Sequence, residues 1–334
     1  MSELPAISIR VSGAVEPRRC VELAKAADEA GMAAVWFAEN PFQRGILATA
    51  GACAAATSRL RIGVGVVNPS MRHPVQIAMD FAALDELSGG RAILGIGSGI
   101  AGALRRMGFD SSRPVTAVRE AVEITRALLA VESVTLRGRV FKVDAARLDF
   151  PARQLPIYMA AGSERALEVC GMIADGLIIS NMTPPGLARW MAATVSGAAT
   201  EAGRAKPWVV HYVPCAIAGD GETARRAVKA TIGDALTLLW PTGDAWPRRR
   251  EAAVAESGIP RGDFIAALDR LRRGETAADV LDERFVAAFA IAGTTQECLR
   301  QAARYREAGV DELALTFAGL QPIDDIAQLA SGLP

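Results

Sequence analysis

"GGRAILGIGSG", residues 89–99, decides between two α/β folds. Gly95, Gly97 and Gly99 alternate as G-x-G-x-G. A dinucleotide-binding turn requires G-x-G-x-x-G directly after a strand, a helix opening on it, and an acidic residue about 20 positions on. Here the glycines close the fourth strand-like run, and "IAGALRRMGFDSSRP" (100–114) reads as a loop before a helix begins near Pro114. In a barrel of parallel strands, glycines at this place open room at the carboxyl end of a strand, where active sites are built. The plainer alternative is that they relieve crowding at the barrel rim.

Outward from this stretch, short Val/Ile-rich runs alternate with alanine-rich amphipathic segments. Strands are predicted at 6–11, 33–38, 60–67, 91–97, 155–161, 176–181, 208–218 and 311–317, each separated from the next by at least one helix. Runs apolar throughout point to burial on both faces, as in a parallel sheet. Eight such units predict a (β/α)8 TIM barrel, with residues 1–334 forming a single domain. Two insertions interrupt it. "SVTLRGRVFKV" (133–143) predicts a hairpin turning at Arg137–Gly138, within an insertion near 132–150. Residues 222–290 predict a helical excursion, broken by the proline and tryptophans of "LLWPTGDAWPRRR".

Composition narrows the function. The chain has 37 basic and 37 acidic residues, which gives no electrostatic reason to expect nucleic acid. Arg248–Arg250 and Arg270, Arg272 and Arg273 read as solvated helix faces, with a site for an acidic ligand as the alternative. Cys20, Cys53, Cys170, Cys215 and Cys298 form no CxxC pair and read as buried reduced thiols. With two histidines in all, the chain has no zinc-ligand spacing. "MSELPAISIRV" lacks the basic and apolar regions of a secretory leader, and no apolar run spans a bilayer. A cytoplasmic protein acting on a small-molecule substrate, as a homodimer and without a membrane partner, is the expectation.

Several stretches together resemble the bacterial luciferase-like superfamily of flavin- and deazaflavin-dependent oxidoreductases, and most closely the F420-dependent methylene-tetrahydromethanopterin reductases. They are "AGMAAVWFAENPF" (30–42), "LRIGVGVVNPSMRHP" (60–74), "LDELSGGRAILGIGSG" (84–99), "LPIYMAAGSERALEVCGMIADGLIIS" (155–180) and "AGVDELALTF" (308–317). The resemblance implies the barrel counted above, with F420 or FMN at the strand carboxyl ends. It implies a non-prolyl cis peptide at Gly65–Val66 behind the cofactor ring, and room beside Gly97. Asn68 would hydrogen-bond the ring edge or else cap the loop before Pro69. The cofactor phosphate would sit at Gly162 and Ser163, where the first N–H groups of a helix offer an anion site, with Ser180 and Asn181 as a second contact. Ser163 also suits an ordinary helix N-cap.

Two positions depart from the family pattern. Many relatives end the second strand with Asp-His; here the pair is Glu39–Asn40. Asn40 is no general base near neutral pH, so oxidation of an alcohol, which needs a proton removed, is disfavoured against hydride transfer to an imine-like carbon. Glu39 would act as the acid or pair with an arginine. Arg10 stands where the methanopterin reductases usually carry glutamate, and would pair with Glu39 or hold an anionic substrate group. Glu39, Asn40 and Arg10 are thus the candidate catalytic residues. Arg44 and Arg72 are candidates for the acidic tail of F420. His73 reads as a loop histidine with a structural bond, and His211 as a satisfied core residue. The alternatives to an F420 reductase are an FMN-dependent luciferase-like monooxygenase and a non-catalytic flavin-binding relative.

Overall fold

A computed structural model describes residues 4–243, 246–319 and 321–333. Residues 1–3 of the N-terminal stretch, and Asp244 and Ala245 in the proline–tryptophan break, lie outside the described residues. The strands in it are β1 (Ala6–Ser12), β2 (Ala34–Ala38), β3 (Arg61–Val67), β4 (Ala92–Ile96), β5 (Val134–Arg137), β6 (Lys142–Ala146), β7 (Ile157–Ala160), β8 (Gly176–Ile179), β9 (Trp208–Ile217), β10 (Ile291–Gly293) and β11 (Glu312–Phe317). The chain divides into two compact units. One holds the N-terminus up to Ile9, Ile179–Ala193 and Val209 onward; the other holds Arg10–Ile178 and Thr194–Trp208.

In the second unit the strands run in the order β2, β3, β4, β7 and β8, all parallel. Every residue of β2, β4 and β8 is buried, which is why these runs are apolar without alternation. Large and small residues alternate between them. Trp36 is fully buried over Gly63, where a Cβ would meet its ring, and Tyr158 lies over Gly176 in the same way. Helix Pro74–Ser88 stops at Gly89 in the left-handed conformation (φ 70°), and the N–H of Gly90 bonds to Asp85 O at 2.9 Å. This glycine end is where β4 is launched.

In the first unit the parallel order is β10, β9, β11 and β1, with Leu313 of β11 opposite both Ile7 and His211. The excursion after β9 is helical, as expected: Gly221–Leu239, Arg248–Ser257, Arg261–Arg272, Ala277–Val280 and Glu283–Phe289. Trp240, Phe264, Phe285 and Phe289 form its own aromatic core, with Trp240 and Phe264 ring centres 5.1 Å apart.

The eight predicted strands are β1, β2, β3, β4, β7, β8, β9 and β11, and each precedes a helix. This is the (β/α)8 fold. β5 and β6 are the antiparallel hairpin of the first insertion. Three features differ from the sequence reading. The presumed loop after Gly99 contains a short helix, Ala101–Arg106, pinned by buried Leu104. β10 was not expected; its three residues are too few for a periodic signal, and it forms by pairing with Cys215–Ile217. The sixth predicted strand ends at Ile179, so Ser180 and Asn181 begin the following loop.

Candidate active site

The alternating glycines lie against β3. A Cβ on Gly95 would stand 2.7 Å from both Ile178 Cδ1 and Val64 O, and one on Gly97 would stand 2.8 Å from Val66 Cγ2. Close packing of β4 on β3 and β7 therefore requires both glycines. The crowding reading of the stretch is the one seen, and Gly97 shapes the site by letting Val66 approach. The Gly65–Val66 peptide is cis, at the place the resemblance marked.

Asn68 follows β3 and is buried. Its side-chain amide donates to Ser98 O at 2.7 Å, and its carbonyl accepts from the Ser70 N–H at 2.8 Å. It thus ties the loop after β3 to the glycine stretch after β4. Gly99 (φ 62°) leaves room for this, since a Cβ there would collide with the Asn68 amide. Beside this pair opens a cavity of about 530 Å³ lined by Asn68, Ser70, Ser98, Arg113, Arg139 and Phe141. The hairpin forms one wall. Its turn is held by buried Glu120, which accepts from the N–H groups of Arg139, Val140 and Phe141 at 2.8, 3.0 and 2.9 Å. These backbone hydrogen bonds hold the Glu120 carboxyl below the usual range against the opposing effect of burial, which is the largest single influence.

At the end of β2, Glu39 is partly buried with Arg72 Nη1 3.5 Å from its carboxylate; Arg72 also reaches Asp80 at 3.2 Å. Asn40 donates to Gln43 at 3.1 Å. Arg44 donates to the carbonyls of Gly13 and Ala14, both at 3.1 Å. Arg44 and Arg72 are thus engaged within the protein, and the arginines that line the cavity are Arg113 and Arg139. Arg10 is partly buried on β1. His73 caps helix Pro74–Ser88, its Nδ1 accepting from Val75 N–H at 3.3 Å, with its ring edge-on to Phe141.

Ser163 caps helix Glu164–Ile173, its hydroxyl accepting from Ala166 N–H at 3.4 Å, and Gly162 precedes it. Both belong to the same unit as Glu39, Asn68 and Gly97. Ser180 and Asn181 belong to the other. There the Ser180 hydroxyl accepts from Arg249 Nη2 at 2.6 Å, and the same nitrogen lies 3.3 Å from the Thr183 hydroxyl. The sequence reading of Arg248–Arg250 as a solvated face is corrected here. Pro247 starts the helix so that Arg248 alone points to solvent, while burial pushes the Arg249 and Arg250 guanidinium pKa values down to about 10. The Arg250 guanidinium stacks on Trp240 at 4.8 Å. His211 is buried, as expected; burial, with Arg249 nearby, lowers its pKa to about 3 and keeps it neutral. All five cysteines are free and buried.

A (β/α)8 fold with a polar cavity beyond the carboxyl ends of β3 and β4 defines the class as a barrel enzyme. The profile of the luciferase-like monooxygenase family matches residues 4–312, and the chain belongs to that family of oxidoreductases. It is 30% identical to the 5,10-methylenetetrahydromethanopterin reductase of Methanolobus tindarius over 294 residues, covering 87% of each chain. It is 33% identical to the F420-dependent glucose-6-phosphate dehydrogenase of Amycolatopsis mediterranei over 179 residues, which is 49% of this chain and 54% of that one. The solved structure of the coenzyme F420-dependent tetrahydromethanopterin reductase from Methanopyrus kandleri superposes with a TM-score of 0.88 at 24% identity, covering 99% of both chains, and shows the fold.

Proposed function

We propose that the protein is an F420-dependent oxidoreductase whose substrate is a pterin-type one-carbon carrier or a similar small organic molecule. Similarity to the Methanolobus tindarius reductase over 87% of each chain supports the cofactor class. The observation that carries the choice of reaction is the end of β2, where Glu39 is ion-paired with Arg72 and Asn40 is bonded to Gln43. An amide at that place removes no proton, so the chemistry is hydride transfer to or from a carbon that needs no base.

The residues present fit such a cofactor. Arg113 and Arg139 on the cavity of about 530 Å³ suit the acidic tail of F420. The Gly65–Val66 segment, with Val66 packed into the space that Gly97 leaves, is the wall beside the cofactor, Asn68 holds the loop next to it, and Gly162 with the Ser163 helix start offers N–H groups to a phosphate. Ser180 and Asn181, which belong to the other unit, are proposed separately as phosphate-binding residues. Glu39, Asn40 and Arg10 face the substrate as hydrogen-bonding and charged groups. F420, when bound, supplies the hydride chemistry; the chain positions it and excludes water. The barrel acts as a single domain and the working form is a cytoplasmic homodimer, a reading supported by exposed Met79 and Leu87 on helix Pro74–Ser88. Among the described residues no helix is long and apolar enough to cross a membrane.

Fluorescence titration of F420 and FMN separately into the full chain tests the reading. Micromolar or tighter F420 binding with much weaker FMN binding is expected. Tight FMN binding without F420 binding would replace it with the flavin monooxygenase, and binding of neither would remove the site assignment altogether.

A further inference from the structure

The helical excursion leaves a further cavity, of about 330 Å³, that the reaction above does not use. It opens between helices Glu283–Phe289 and Thr295–Glu307, beside helix Gly221–Leu239, and all its lining residues belong to one compact unit. Its volume is at the lower end of the range for small-molecule sites. Val286, Ala287, Ala290 and Ala292 give it an apolar side. Gln301 fixes the wall behind them. Its side chain donates to Ala292 O at 3.0 Å and accepts from the Ala292 N–H at 3.1 Å, which holds helix Thr295–Glu307 against β10.

The polar side carries unequal charge. Arg225 lies 3.2 Å from Glu283 and 3.7 Å from Glu297, and Lys229 lies 3.1 Å from Glu283, so these two cations and two carboxylates offset each other. Arg304, also on the cavity, has no ion pair among the described residues. Beside it Tyr305 is only 3% exposed, with its ring edge-on to His211 at 5.2 Å. The Tyr305 hydroxyl makes no hydrogen bond to any described residue. Burial pushes the phenol pKa up against the opposing influence of Arg304, so the hydroxyl stays a donor. A buried tyrosine normally spends its hydroxyl on a partner. Here the side chain lines the cavity instead, on the same helix turn as Arg304. A cation and a neutral O–H donor facing an apolar wall select an anion with an apolar body. A surplus of one positive charge matches a carboxylate better than a phosphate dianion.

We propose that this cavity is a second small-molecule site, taking a small organic carboxylate whose charge meets Arg304 and Tyr305 and whose apolar body packs on Val286, Ala287 and Ala290. The inference does not depend on which cofactor the barrel binds.

Benzoate is the probe, titrated into the full chain by calorimetry and followed by thermal denaturation, with and without saturating F420. Saturable binding that raises Tm is expected for the wild type, with neutral benzamide bound much more weakly. Arg304→Gln should weaken benzoate by about tenfold, the scale of losing a charge-assisted hydrogen bond. Tyr305→Phe should weaken it several-fold. Ala287→Phe should block the cavity with unchanged circular dichroism. Arg304 and Ala287 are both exposed, so their variants carry the test if Tyr305→Phe does not fold. No saturable binding at millimolar benzoate, equal affinity for benzamide, or unchanged affinity in either Arg304→Gln or Ala287→Phe overturns the proposal. Displacement of benzoate by F420 also overturns it, because the probe then sits in the active site. Benzoate binding that persists with F420 bound supports the second site. In a chain that ignores F420, benzoate binding that depends on Arg304 and Ala287 leaves this site standing and removes only the cofactor reading.

Discussion

Arg91 and Arg249 are both half-buried and, among the described residues, neither is ion-paired, yet they are used in opposite ways. Arg91 stands just before β4, at the amino end of the strands. Its Nε donates to Ser88 O, its Nη1 to Leu60 O and the Thr57 hydroxyl, and its Nη2 to the carbonyls of Ala54 and Thr57. All five N–H donors are used within the protein, and they tie together the ends of two helices and the start of β3. Arg249 commits one nitrogen to two hydroxyls next to the carboxyl end of β8. Arg91 uses up its donors on carbonyls and a hydroxyl, whereas the hydrogen bonds of Arg249 go to two hydroxyls alone. The contrast follows the division of labour in barrels between a stabilising amino-terminal face and a catalytic carboxyl-terminal face.

The sharpest way to break this comparison is to remove each charge in turn. Arg91→Met should destabilise the protein by about 3 kcal/mol or more in urea unfolding, since several acceptors are orphaned together. Arg249→Met should cost nothing without ligand. Equal losses in the two variants would erase the distinction.

His211 sharpens the case from the other side. Its pKa is about 3 in the folded chain and near the ordinary 6.5 when unfolded, so the unfolded chain binds the extra proton between these values. Its contribution is therefore intact above about pH 6.5 and is lost as pH falls toward 3. His211→Phe should remove about 3 kcal/mol of the stability lost between neutral pH and about pH 4, read from unfolding at each pH. Asp325, whose pKa burial raises to about 6, acts in the opposite sense, but it is present in both proteins and cancels in the difference.

Glu120 is the acidic counterpart of Arg91, with both oxygens committed to three backbone N–H groups. Glu120→Gln should cost about 1–2 kcal/mol and speed amide exchange at Arg139–Phe141, because one carboxylate oxygen becomes a donor facing donors. The smallest expected effect is at Ser163. Ser163→Ala should cost about 1 kcal/mol as a lost N-cap, and should weaken F420 beyond that if the hydroxyl also meets its phosphate. Calorimetry and F420 fluorescence read the two separately.

Much of the frame was legible beforehand because its signals are local. Val/Ile runs buried on both faces marked the eight strands, Gly89–Gly90 marked a helix end, and Arg137–Gly138 marked the hairpin turn. The alternating Gly95 and Gly97 were read correctly as a barrel feature, and their contacts with Val66 and Ile178 explain why only glycine fits. Arg249 was not legible. An arginine run at a helix start looks the same whether it faces water or Ser180 and Thr183, and those partners are about 70 residues away along the chain. The internal partners of Arg44 and Arg72 were hidden for a similar reason: these arginines are bonded to Gly13, Ala14, Glu39 and Asp80. Arg113 and Arg139 reach the cavity by way of a short helix and a hairpin whose geometry is set by Leu104 and Glu120.

The most direct test of the account is a single-turnover experiment. Reduced F420 bound to the full chain is mixed with a methylene-bearing pterin one-carbon carrier, and the absorbance of oxidised F420 is followed. The account predicts oxidation of F420 matched one for one by reduction of the carrier, as hydride passes to the carbon and no base is required. Bound F420 that stays reduced across one-carbon carriers and related small substrates, together with oxygen-dependent turnover of reduced FMN, would contradict it.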